Sequence, residues 1–127
     1  MNISAAATEA GLPVKTVRYY SEIGLVEAPS RTASGYRSYD PASVRKLVFV
    51  RRAREFGFSI DDCRDLLGLY QDQNRSSADV KALALNRLEQ IRAKQRELQS
   101  LHDTLSDLVE CCNGDERPDC PIIDFLR

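Results

Sequence analysis

The chain has 127 residues, 43% hydrophobic and 29% charged, with a formal net charge of -1, an ordinary soluble composition. That length allows one domain, or one small domain with an appendage, and is too short to bury a long helix unaided. No apolar run approaches the ~20 residues that span a bilayer, and "MNISAAATEAGLP" lacks the basic-then-apolar order of a secretory signal, so a cytoplasmic setting without a membrane partner is expected.

The charge is unevenly placed. Residues 1–60 hold nine Lys/Arg against five Asp/Glu, and residues 61–127 hold nine against fourteen. The first half can meet a polyanion and the second cannot. In chain order, "ISAAATEAGLP" offers Ser4 as a helix N-cap and Gly11 as a stop. "PVKTVRYYSEIGLV" starts with Pro13, suited to a first helical turn, and ends at Gly24. Two short helices joined at Gly11-Leu12-Pro13 form a helix-turn-helix pattern. "EAPSRTASGYRSYDPAS", with a turn at Ser34-Gly35, fits a two-stranded wing. A third helix takes Asp40 as N-cap and Pro41 at its first position, and stops at Gly57. A fourth is capped by Ser59, with Asp61 and Asp62 at its positive end. Its apolar face is Ile60, Cys63, Leu66, Leu67 and Tyr70.

From Ser77 to Glu110 there is no Pro or Gly. Leu88, Ile91, Leu98, Leu101, Leu105 and Leu108 recur at three- and four-residue steps around polar Lys94 and Gln95. The pattern predicts one helix of ~50 Å whose narrow seam needs a second copy of the chain. The expected organisation is a DNA-binding domain over 1–72, a dimerisation helix over 77–110 and a terminal segment over 111–127. In that segment Cys111, Cys112 and Cys120 crowd ten residues. In a reducing compartment such thiols are metal ligands or redox groups rather than structural bridges.

The second helix of a helix-turn-helix lays its first residues on base edges in the major groove. Val14, Lys15 and Thr16 occupy that place. Lys15 suits guanine O6/N7, and the Thr16 methyl suits thymine. Arg18 and one hydroxyl of the Tyr19–Tyr20 pair suit phosphates, the other ring packing inward. Arg31, Tyr36 and Arg37 on the wing and Arg54 on the third helix extend the phosphate set.

"TVRYYSEIGLV", then "SGYRSYD", then "VRKLVFVRRAREFGFSIDD", then a lone long helix, together resemble the mercury-resistance-regulator (MerR) family of transcription factors. The resemblance covers nearly the whole chain. It implies a mainly α fold with a winged helix-turn-helix, an antiparallel coiled-coil homodimer and an effector site at the far end of the coil. It also implies an activator that distorts promoter DNA so that RNA polymerase meets both promoter elements. The loop "NGDERPD" between Cys112 and Cys120, with "DCPII" after it, resembles the copper-efflux branch. That branch implies Cys112 and Cys120 as a two-thiolate site for Cu(I), with Ag(I) or Au(I) as substitutes. Soft thiolates favour monovalent copper over hard cations.

Pro121 opens a short helix, "PIIDFL", whose Ile122 and Ile123 amides can stabilise the Cys120 sulfur. Asp115, Glu116 and Asp119 oppose thiolate formation and serve the loop instead. Ile122, Ile123, Phe125 and Leu126 form an apolar plug that can carry the metal signal. Family members that sense divalent ions have cysteine where this chain has Ser77, so a tetrahedral Zn²⁺ site lacks a ligand. Ser77 is then a helix cap. A divalent range using Cys111 (Zn, Hg, Pb or Cd), and thiol redox sensing, are the alternatives. Cys63 reads as core and His102 as seam or surface. A small thiol oxidoreductase lacks its Cys-x-x-Cys, so no enzyme is expected.

Overall fold

The computed structural model describes residues 1–31, 35 and 37–127. The elements are α1 (Ile3–Ala10), α2 (Val14–Glu22), β1 (Ser30–Arg31), β2 (Arg37–Ser38), α3 (Pro41–Glu55), α4 (Ile60–Gln71), α5 (Ser77–Cys111) and α6 (Pro121–Leu126). They fall into two units, Met1–Ala84 and Leu85–Arg127. No helix among the described residues is long and apolar enough to cross a membrane.

The first unit is a helical cluster with a two-stranded wing. α1 packs on α2 and α3, and α3 on α4. Ala6, Ala7 and Ala10 of α1 are small enough to bring its backbone close to Val17, Leu47 and Val50, which are fully buried. Leu83, in the second turn of α5, packs against the same core. The wing is antiparallel, pairing Ser30 with Ser38 and Arg31 with Arg37. Tyr39 follows directly; its ring is buried and its amide donates to Met1 O at 2.7 Å. The structure thus ties the base of the wing to the start of the chain.

Local capping explains the helix ends. Asp40 accepts from Ser43 N at 2.8 Å and Ser59 from Asp62 N at 3.0 Å, as their sequence positions predict. Two caps differ from expectation. Asn2, rather than Ser4, caps α1 by accepting from Ala5 N at 2.8 Å, which leaves Ser4 inside the helix. Ser76, rather than Ser77, supplies the hydroxyl at the start of α5, accepting from Ala78 N at 3.1 Å. In both cases a second capping-type side chain lies within two residues, and backbone geometry decides between them. Pro13 is the N-cap of α2, in extended conformation, rather than its first helical residue. Gly11, Gly24 and Gly57 all have positive φ.

The second unit is dominated by the continuation of α5, which runs unbroken for 35 residues. None of its residues is buried within one chain. Leu85, Leu88, Leu98, Leu101, Leu105 and Val109 are all exposed, while Glu89–Arg92 and Lys94–Glu97 ion pairs lie one turn apart along its surface.

Candidate nucleic-acid interface and metal centre

Val17 and Tyr20 turn one side of α2 into the core. The helical period then directs Lys15, Arg18 and Tyr19 outward, and all three are exposed. Thr16 is half-buried. The inward ring of the tyrosine pair is therefore Tyr20, 5% exposed, against 49% for Tyr19. Their ring centroids are 6.1 Å apart. Burial raises the Tyr20 phenol above its ordinary range, opposed by the neighbouring Arg54 guanidinium. Arg54 donates from Nη1 to Phe58 O at 2.7 Å, which holds it at the end of α3.

Lys15, Thr16, Tyr19, Tyr20, Arg54 and Ile60 line one shallow depression of about 390 Å³. Five residues nominated for DNA contact thus meet at one place, contributed by α2 and α3. Arg18 is exposed on α2 outside that lining. Arg31 and Arg37 are paired through the backbone of the wing. Tyr36 lies outside the described residues, as does Ser34 of the expected turn.

One contact had no sequence signal. Arg64 of α4 donates from Nη1 to Gly24 O and from Nη2 to Ile23 O, both at 3.3 Å. These carbonyls cap the C-terminal end of α2, 40 residues earlier, and no local pattern connects the two segments.

The thiols meet at the other end of the chain. Cys112 Sγ and Cys120 Sγ are in contact at 4.0 Å, both half-buried and not joined by a disulfide. A disulfide would need ~2.05 Å. At a metal–sulfur distance of ~2.3 Å, sulfur pairs span ~3.8 Å at a tetrahedral angle and ~4.6 Å when collinear. The observed spacing lies within that range, so the pair fits a single soft ion. Among the described residues, no three His, Cys, Asp or Glu side chains gather for one ion. Cys111, the last residue of α5, is exposed. Ser77 is exposed in the first turn of α5.

The surroundings favour a thiolate. Cys120 is the N-cap of α6, with Pro121 at its first turn. Its thiol is held below the ordinary range, first by the Ile123 amide and then by the Ile122 amide, with Asp124 opposing. Asp115 closes the loop by accepting from Arg117 N at 2.9 Å and Arg117 Nε at 3.2 Å. Gly114 supplies the positive φ that lets the chain leave α5. Ile123, Phe125 and Leu126 are exposed, so the apolar face of α6 is uncovered within one chain. Cys63 and His102, which read from the sequence as core and as seam or surface, behave as ordinary structure. His102 is exposed beside Asp103 at 3.1 Å, and Cys63 is buried, with desolvation raising its thiol.

Known proteins place this architecture. The family model "MerR HTH family regulatory protein" matches residues 1–69, and "MerR, DNA binding" matches residues 44–108. The chain is 50% identical over 126 residues to the HTH-type transcriptional regulator HmrR of Rhizobium leguminosarum bv. viciae, covering 99% of this chain and 97% of that one. It is 44% identical to the HTH-type transcriptional regulator CueR of Salmonella typhimurium, covering 99% and 91%. Among solved structures it is similar to the transcription regulator PbrR691 of Ralstonia metallidurans CH34 in complex with lead(II). There the TM-score is 0.86 and the identity 32%, with 100% and 99% coverage. Extent and identity together show that this chain, a regulator and not an enzyme, belongs to the MerR family of helix-turn-helix transcriptional regulators.

Proposed function

We propose that the chain is one protomer of a homodimeric, Cu(I)-responsive activator of copper efflux or detoxification genes, acting in the cytoplasm. The observation that carries the metal reading is the Cys112–Cys120 pair at 4.0 Å with no third ligand gathered beside it among the described residues. Two thiolates and one monovalent ion leave a net charge of -1, and the Ile122 and Ile123 amides oppose that charge. A bound ion would tie both ends of the loop together and neutralise part of the thiolate charge, with Ag(I) or Au(I) serving in its place. Ser77, which contributes no thiol, keeps the donor set small.

The DNA reading rests on α2. Lys15 and Thr16 sit where base edges are read, and Arg18, Tyr19 and Arg54 sit where phosphates pass, with Tyr20 packed beneath them. Arg31, Tyr36 and Arg37 extend the contact to the wing. Such contacts stabilise a distorted promoter, which presents both promoter elements to RNA polymerase. The apolar stripe of α5 supports an antiparallel coiled coil between two copies. Ile122 and Phe125 of α6 lie next to the thiol pair in sequence and transmit its state.

In vitro transcription with buffered Cu(I), Ag(I), Zn(II) and Hg(II), repeated with Cys112→Ser and Cys120→Ser, tests the reading. Activation by the monovalent ions alone, abolished in both variants, is the expected result. A second reading is favoured by the likeness to PbrR691, whose structure holds lead(II). In it Cys111 joins the pair for a divalent ion, and Cys111→Ser removes the response.

A further inference from the structure

The end of α2 carries two carbonyls with an unusual partner. Ile23 is the C-cap, and Gly24 follows with φ 72, which turns the chain back toward the core. Leu25 and Val26 are buried immediately afterwards. The Arg64 guanidinium reaches across from α4 and uses two separate nitrogens, one for each carbonyl. A guanidinium fork is planar and rigid, so two bonds fix an angle as well as a distance. It also places positive charge at the negative end of the helix macrodipole.

We propose that Arg64 is a positioning residue for DNA binding: by clamping the Ile23 and Gly24 carbonyls, it sets the attitude at which α2 presents Lys15, Thr16 and Arg18. Arg64 touches no base or phosphate in this role. It acts through the helix end, beside the Leu25 and Val26 amides, which donate to Tyr20 O of α2 at 2.9 and 3.2 Å. The inference rests on α2 being the helix that enters the groove. It also gives α4 a direct hold on α2.

The test uses the full-length protein and a DNA duplex selected by the wild-type chain from a randomised pool. Arg64→Ala is expected to weaken binding about five- to tenfold while leaving the slope of log affinity against log salt unchanged. Arg18→Ala is expected to lower that slope by ~1.8, the share of one phosphate from each protomer of the proposed homodimer. Arg64→Lys keeps the charge without the fork and is expected to recover little of the loss. Thermal unfolding of each variant fixes a temperature at which all are folded for the binding measurement. Unchanged affinity in Arg64→Ala, full recovery in Arg64→Lys, or a reduced salt slope in Arg64→Ala overturns the inference. Unchanged affinity and slope in Arg18→Ala and Lys15→Ala together overturn the reading of α2 and the inference with it.

Discussion

Gly11 shows how closely the turn before α2 is fitted. Its φ is 74, and a Cβ there would lie 2.6 Å from Arg51 Nη1. Gly11→Ala therefore meets both backbone strain and a side chain that must move. We expect a loss of about 1–3 kcal/mol of stability, measured by thermal unfolding. Adding Arg51→Ala relieves the collision and not the strain, so the double variant should recover only part of the loss. Cys120 supports a chemical prediction at the same scale. The Ile123 and Ile122 amides hold its thiol below the ordinary range, so the pH at which alkylation reaches half its maximal rate should fall below the ordinary thiol value of ~8.5. Ile123→Pro deletes the first of those donors and should raise that pH. No change in the half-rate pH of Ile123→Pro would mean that the Ile123 amide does not stabilise the thiolate.

At the level of elements, α5 supports a prediction about assembly. Its apolar residues stand uncovered in one chain, so Leu101→Glu, in the middle of the stripe, should convert a dimer to monomers in sedimentation experiments. A variant that sediments as the wild type would refute the coil. The helix itself was legible from its unbroken polar and apolar period, as were the Asp40-Pro41 and Ser59 starts, because each depends on neighbours in sequence. The caps at Asn2 and Ser76 were missed by one or two residues, since adjacent side chains of similar chemistry compete and only backbone angles choose. Cys120 as a helix cap was legible through Pro121. The meeting of Lys15 and Thr16 with Arg54 was legible only as separate nominations. The Arg64 contact was not legible at all, because it spans 40 and 41 residues and depends on how α4 lies against α2.

For the molecule as a whole, the uneven charge and the two ends of α5 define separable tests. Binding to DNA should weaken steeply with salt, because the contacts assigned to Arg18, Arg31, Arg37 and Arg54 are to phosphates. Replacing Ile122 and Phe125 by Ser should leave copper uptake intact while abolishing the transcriptional response, read by stoichiometric Cu(I) titration beside in vitro transcription. Retained activation would show that the apolar face of α6 does not carry the signal.

The absence of any buried residue along 35 residues of α5 has one more consequence. In the proposed homodimer a second copy covers this helix, so its melting temperature should rise with the amount of protein present. Dilution alone should then loosen the end of α5 that leads into the two thiols. On that reading expression level becomes a variable of the sensor itself: a cell holding few copies should work with a less ordered thiol site than one holding many, before any metal arrives.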